Sequence, residues 1–258
     1  MTKQLLIKDV MAKPATISKS AKITEALDKM LETGADPLIA LNNSSVVGTI
    51  SRQAIARKLG SRQNSDIAPT AIHVAGAVEE EFTSVYPDES INVLVPLLQR
   101  YKLVVVYDTD HRLIGQVGSG DLLKKFTPDV RLDAVTEKIL TIASDERVVH
   151  LRRRMLDDNI NRFVVMENDK IAGMVTETDV AVAMRKFRKA VEDNHQEHRI
   201  RNLLVKDIMS IPLISVANTA TVPEVVSLML KKNISCVPVV ENARATGVVT
   251  RKSLVNAL

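Results

Sequence analysis

The tetrapeptide KDVM at 8–11 returns as KDIM at 206–209, each time followed by a proline and a short β-prone run. Recurrence of this kind constrains the fold strongly, because each copy builds the same supersecondary unit. Behind each tetrapeptide lies a helical stripe. In the first copy it is Ile23, Ala26, Leu27, Met30 and Leu31; in the last it is Val222, Val225, Val226, Met229 and Leu230. Both sets fall at i, i+3, i+4, i+7 and i+8, one face of an α-helix. Two further stripes stand between them, at Val148, Leu151, Met155 and Leu156 and at Ile91, Leu94, Val95 and Leu98. Pro96 interrupts the latter, and a proline removes a helix hydrogen bond, so this copy is expected to be the least regular.

After every stripe come two apolar runs separated by a polar turn: PLIAL/SVVGTI, LVVVYD/RLIGQV, RFVVM/KIAGMV and CVPVV/ATGVVT. Such pairs read as buried strands joined by a tight connection. A second helix closes each unit, giving an α/β chain of four β-α-β-β-α copies of roughly 55 to 60 residues. The units are placed at 1–60, 72–127, 132–190 and 203–258, paired as 1–127 and 132–258. Polar segments at 60–70 and 126–134 serve as joints, and the helix after the third copy is expected to run on through 190–204.

Composition narrows the class. Trp is absent and aromatics are 3% of 258 residues, so the core must come from Val, Ile, Leu, Met and Ala. One cysteine, Cys236, rules out a disulfide within the chain and reads as core packing in a reducing compartment. The start of the chain has no apolar leader and no stretch is long enough to span a bilayer, which predicts a soluble, cytoplasmic protein without membrane partners. The net charge of +4 is concentrated at 185–201, a mixed-charge run read as a solvated helix face; its rival reading is a nucleic-acid surface. His195 and His198 lack a third metal ligand nearby, so no metal site is expected.

The second helix of each copy opens on a related tetrapeptide after Gly and two apolar residues. The copies read Ser51-Arg52-Gln53-Ala54, Gly118-Ser119-Gly120-Asp121, Thr176-Glu177-Thr178-Asp179 and Thr250-Arg251-Lys252-Ser253. Thr176 and Asp179 fit a capping box, in which the hydroxyl and the acid satisfy the free N–H groups of the first turn. The same geometry also suits a ligand: a helix start attracts phosphate, and a carboxylate accepts from hydroxyls. Both readings stand at this level.

The fourfold recurrence of this unit resembles the CBS domain, and the whole chain resembles proteins built of two tandem CBS pairs (Bateman modules). That group includes the adenylate-sensing gamma subunit of AMP-activated kinase. The resemblance implies four CBS units forming a disc. It further implies that Asp179 holds a ribose, with Thr176 and Thr178 toward phosphate. An adenine slot would form from Thr141, Ile142, Ile160, Phe163 and Val164, with Arg162 as a phosphate partner. In the second copy Ser119 and Asp121 would make a weaker site. Ser51, Arg52, Thr250, Arg251 and Lys252 would supply walls and charge, Arg251 and Lys252 toward a ligand anchored by Asp179. The expected ligand is AMP, ADP or ATP, with S-adenosylmethionine, its thioether product or cyclic di-AMP as alternatives. The implied role is regulatory, reporting occupancy to an effector protein, with a homodimer left open. No nucleophile, phosphate-binding loop or dinucleotide fingerprint points to an enzyme, and no catalytic cofactor is expected.

Overall fold

A computed structural model describes residues 5–59, 67–158, 160–190 and 202–258. The first repeat contains β1 (Thr16–Ser18), α1 (Ile23–Thr33), β2 (Leu38–Asn42), β3 (Ser45–Ile50) and α2 (Arg52–Leu59). The second contains β4 (Thr83–Val85), α3 (Leu94–Arg100), β5 (Leu103–Tyr107), β6 (Leu113–Gly118) and α4 (Ser119–Leu123). After the short strand β7 (Thr136–Glu137), the third repeat has β8 (Thr141–Ala143), α5 (Val148–Asp157), β9 (Arg162–Glu167), β10 (Lys170–Thr176) and α6 (Glu177–Ala190). The fourth has β11 (Val216–Ala217), α7 (Val222–Lys232), β12 (Cys236–Glu241), β13 (Arg244–Thr250) and α8 (Arg251–Val255). The expected continuation of α6 beyond 190, His195, His198, the joint at 60–66 and most of the basic run at 185–201 lie outside the described residues.

In every repeat the first strand pairs parallel with the second, which forms an antiparallel hairpin with the third. The hairpin turns at Asn168-Asp169 and Asn242-Ala243 have two successive positive φ angles, the twist that matches right-handed strands. Pro96 has the effect expected of it. The second repeat starts its helix as a 3-10 turn at Ile91–Val93, and α3 begins at Leu94, so the proline lies in the first α-turn where its missing N–H costs least.

The segment preceding each first strand does not pack on its own repeat. Ile7 and Val10 enter the core of the second repeat, Ile72 and Val74 that of the first, Leu132 and Val135 that of the fourth, and Leu203 and Val205 that of the third. Repeats one and two therefore exchange segments, as do three and four. A second level of packing joins the pairs: one apolar cluster merges repeats one and three, and another merges two and four. Helices α2 and α6 meet at the first junction, while α8 meets α3 and α4 at the second. Across the former, Arg185 donates through Nη2 to Asp28 Oδ2 at 2.7 Å.

Each exchanged segment runs directly over a glycine. A Cβ on Gly173 would stand 2.7 Å from the Ser210 carbonyl oxygen, and one on Gly247 2.9 Å from that of Glu137. Gly115 lies beneath Ala12 and Gly48 beneath Glu79 in the same way. This close passage explains the glycine in each motif and carries each segment past a helix start.

Candidate ligand site

The four helix starts converge on a cavity of about 670 Å³, walled by all four repeats. Each repeat contributes one polar residue within two positions of the start of its second strand: Asp36, Lys102, Asn161 and Ser235. The chain turns here from helix C-terminus to strand, and these side chains sit beside the following helix start. Thus the Arg52 N–H donates to Asp36 Oδ1 at 3.0 Å, and the Glu177 and Arg251 N–H groups donate to the carbonyls of Asn161 and Ser235. None of these four residues was singled out from the sequence. The available signal was a polar residue ahead of a buried strand in every copy.

Charge on the wall is uneven. Arg100, Lys102, Lys124, Arg162, Arg251 and Lys252 face Asp36, Asp121 and Glu177, a positive excess in a polar cavity. A smaller space of about 120 Å³ shares part of this wall and adds Arg52, Thr176, Thr178 and Cys236. Four buried side-chain atoms lack a hydrogen-bond partner among the described residues: Arg52 Nε, Arg162 Nη1, Arg251 Nε and Glu177 Oε2. All four belong to residues of these two spaces. Buried N–H groups without a hydrogen bond are costly, and three arginines lining these spaces each carry one.

The remaining atoms of these groups are held firmly. Arg52 donates through Nη2 to the Met30 carbonyl at 2.8 Å and through Nη1 to Thr178 Oγ1 at 3.4 Å. Arg251 repeats the first contact, donating to the Met229 carbonyl and to Asn233 Oδ1, both at 3.2 Å. Arg162 Nε donates to Asn161 Oδ1 at 2.7 Å. Lys102 Nζ lies 3.7 Å from Glu177 Oε1. Burial pushes the Glu177 carboxyl above its ordinary range, Lys102 opposes that, and Asp36 adds to it. Asp36 is raised for the same first reason, against the pull of Arg52 and Lys102. The Arg251 guanidinium is shifted down by burial, with Asp121 opposing.

The structure keeps Asp179 with Thr176 and places Thr176 and Thr178 beside Arg162, but it puts Lys252 and Asp121 on the larger cavity. Asp179 makes the capping box: its Oδ2 accepts from the Thr176 N–H at 2.7 Å and the Thr176 hydroxyl at 2.6 Å. Its Oδ1 accepts from the Ser210 hydroxyl at 2.7 Å, so the carboxylate ties α6 to the exchanged segment. Ser210 and the neighbouring Ile211, 67% exposed, went unnoticed in the sequence. Asp121, by contrast, faces the large cavity together with Ser119, Thr250, Arg251 and Lys252, while accepting from the Gly118 N–H and Lys124. Arg251 borders both spaces, whereas Lys252 stands with Asp121 rather than with Thr176 and Thr178. Ser51 and Thr250 are buried caps.

Of the five residues inferred for an adenine slot, Ile142, Phe163 and Val164 are buried. Strand alternation sends Phe163 and Val165 into the core, where Ile142 joins them, and Val164 is fully covered on the other face. Ile160 lines a cavity of about 30 Å³, and Thr141 is exposed. Cys236 is buried as expected, but it also borders the small space beside Arg162, and burial raises its thiol.

The repeats carry a recognisable signature. The CBS-domain profile matches residues 7–61, 74–127, 130–186 and 205–258. The chain belongs to the CBS-domain family. An uncharacterised protein of Methanocaldococcus jannaschii, MJ1404, is 24% identical over 98% of this chain, which spans 60% of that protein's length. A second protein of that organism, MJ1225, is 21% identical, with 94% of each chain covered. The crystal structure of MJ1225, proposed as an archaeal homologue of g-AMPK, superposes with a TM-score of 0.79 over 97% of this chain and 99% of that one. An uncharacterised conserved protein of Pyrococcus horikoshii gives 0.62 at 19% identity, covering 97% and 98%. These likenesses show the fold: four CBS units arranged as the CBS-pair disc. No helix among the described residues is long and apolar enough to cross a membrane.

Proposed function

We propose that this protein is a regulatory sensor of an adenine nucleotide, AMP, ADP or ATP, whose phosphates enter the space between CBS units one, three and four. The observation carrying this reading is that Arg162 Nη1 and Arg251 Nε, buried and without a hydrogen bond, line the same two cationic spaces, joined there by Arg52 Nε, whose nearest acid is Asp36 Oδ2 at 3.9 Å. Guanidinium N–H groups in a water-poor setting suit phosphate oxygens, which would restore the missing hydrogen bonds. CBS domains commonly bind adenosine ligands, which supports the nucleoside part. In this reading the ribose replaces the Ser210 hydroxyl on Asp179, loosening the tie between α6 and the exchanged segment. Occupancy then favours one arrangement of the two pairs over another, and an effector protein reads that arrangement. The shift is bounded by the ligand's differential affinity; at one hundred times its dissociation constant, binding contributes about 2.7 kcal/mol.

The test is calorimetric titration of the chain with AMP, ADP, ATP, S-adenosylmethionine and cyclic di-AMP, repeated on Arg162→Gln and Asp179→Ala. Nucleotide binding that weakens about tenfold or more in Arg162→Gln is the expected result. Binding of S-adenosylmethionine alone, unaffected by Arg162, would replace the nucleotide by a sulfonium ligand. No binding by any adenosine compound would remove the reading.

A further inference from the structure

The second position of the helix-start motif is Arg52 in unit one, Ser119 in unit two, Glu177 in unit three and Arg251 in unit four. Three of these side chains hold a buried atom without a hydrogen bond among the described residues: Arg52 Nε, Arg251 Nε and Glu177 Oε2. The two arginines have hydrogens to give, and phosphate oxygens accept them. An ionised Glu177 has none to give and sets a like charge beside a phosphate. Yet Glu177 lines both spaces with Arg162 and Arg251, its side chain 13% exposed and its N–H donating to the Asn161 carbonyl at 3.0 Å. A phosphate in that place leaves Oε2 without a partner.

Charged groups from all four units face this carboxyl. Lys102 of unit two lies 3.7 Å from Oε1, and its ammonium also donates to Gln53 Oε1 at 3.1 Å. Arg52 and Asp36 of unit one act on it, as does Arg162 on β9 of its own unit. Arg57 and Arg152 line the cavity of about 30 Å³ that Glu177 also borders. Units two and four add Arg100, Asp121, Lys124, Arg251 and Lys252 to the larger wall. On α6 itself, Asp179 is engaged by Thr176 and Ser210. Burial, the largest influence on Glu177, favours its neutral form, and Lys102 opposes that. An arriving phosphate neutralises the surrounding cations and adds negative charge, which favours the neutral form further. A metal ion would also satisfy Oε2, but the described residues hold no group of three metal-ligating side chains.

We propose that Glu177 takes up a proton from solvent when the anion binds, so that Oε2 changes from an acceptor to a donor and bonds a phosphate oxygen. The protonated carboxyl then completes the set of donors begun by the three arginines. Binding that consumes a proton weakens as pH rises, so the cavity answers to acidity and to nucleotide together. The proposal rests on the reading of this cavity as a phosphate site.

The test is calorimetric titration of the full chain with AMP and with ATP in EDTA, between about pH 6 and about pH 8, repeated on Glu177→Gln. At each pH the titration is run in buffers of different ionisation enthalpy, which counts the protons taken up. Glutamine offers an N–H in place of the carboxyl at every pH. The protonation of the nucleotide itself is common to both chains, so the difference between them belongs to Glu177. The unaltered chain is expected to take up more protons than the variant, by up to roughly one, and to lose about tenfold in affinity relative to it as pH rises through the range. Equal proton uptake in the two chains, or a variant that binds more weakly at the alkaline end, overturns the proposal and leaves the nucleotide reading standing. Binding that appears only when Mg²⁺ replaces EDTA puts a cation on Glu177 and overturns it as well. Failure of both nucleotides to bind removes the proposal together with the nucleotide reading.

Discussion

Replacing Gly48 by alanine tests the idea that the exchanged segments are held by their passage over the motif glycines. Gly48 has φ +142°, a region that side chains rarely adopt. A Cβ there would fall inside contact distance of the Glu79 carbonyl oxygen and 2.7 Å from Val78 Cγ1. The segment cannot withdraw freely, because Thr49 and Glu79 exchange two backbone hydrogen bonds at 2.9 and 2.8 Å. Backbone strain of this kind costs about 1–3 kcal/mol and overpacking about 1–3 kcal/mol, against about 0.4–1 kcal/mol gained through the unfolded chain. The net is about 3 kcal/mol of destabilisation. At about 2–4 °C per kcal/mol for a chain of this size, the melting midpoint should fall by about 6–12 °C. Thermal and urea unfolding should be compared with Gly76→Ala, whose added Cβ would meet only the end of the Lys58 side chain at 3.4 Å or more. A Gly48→Ala midpoint within about 1 °C of the unaltered chain would refute the argument, as would an equal loss in both variants.

Asp179→Ala removes the cap of α6 and the tie to Ser210 at once, so the chain without ligand should lose about 2 kcal/mol, read as a lower urea midpoint with an unchanged slope. An unchanged midpoint would show that neither bond contributes to stability. Glu177→Gln addresses pH. The folded carboxyl is raised above its ordinary 4.5, so between that value and the folded one the native state holds more protons than the unfolded state. Stability therefore falls as pH rises through that window, and Asp36 contributes in the same sense. The glutamine variant should show a shallower fall in urea midpoint over the window; an identical slope would mean that Glu177 is not desolvated as described.

What was legible in the sequence was periodic. Of the stripe at Ile23, Ala26, Leu27, Met30 and Leu31 the first four are fully buried, and its counterpart is buried at Val222, Val225, Val226 and Met229, whereas Leu31, like Leu156 in the third copy, is exposed at the edge of the apolar face. Pro96 marked the irregular helix for a purely local reason. The exchange of segments was not legible: Ile7 and Val10 have the same apolar pattern whichever repeat receives them, and local sequence does not name the recipient. The candidate site divides along the same line. Thr176 and Asp179 could be found because a capping box is a local device, whereas local sequence did not show that both faces of β9 are covered, with Phe163 and Val164 buried on opposite sides. Ser210 and Glu79 escaped notice because each acts on a helix start more than twenty residues away in sequence. Their meaning emerges only when the overlying segment is read against the glycine beneath it. Unit one, which lacks an acid in its own helix-start motif, meets one at Glu79 of unit two, whose Oε2 accepts from the Ser51 hydroxyl at 3.1 Å, so the surroundings of a helix start belong to the exchanged pair rather than to the repeat.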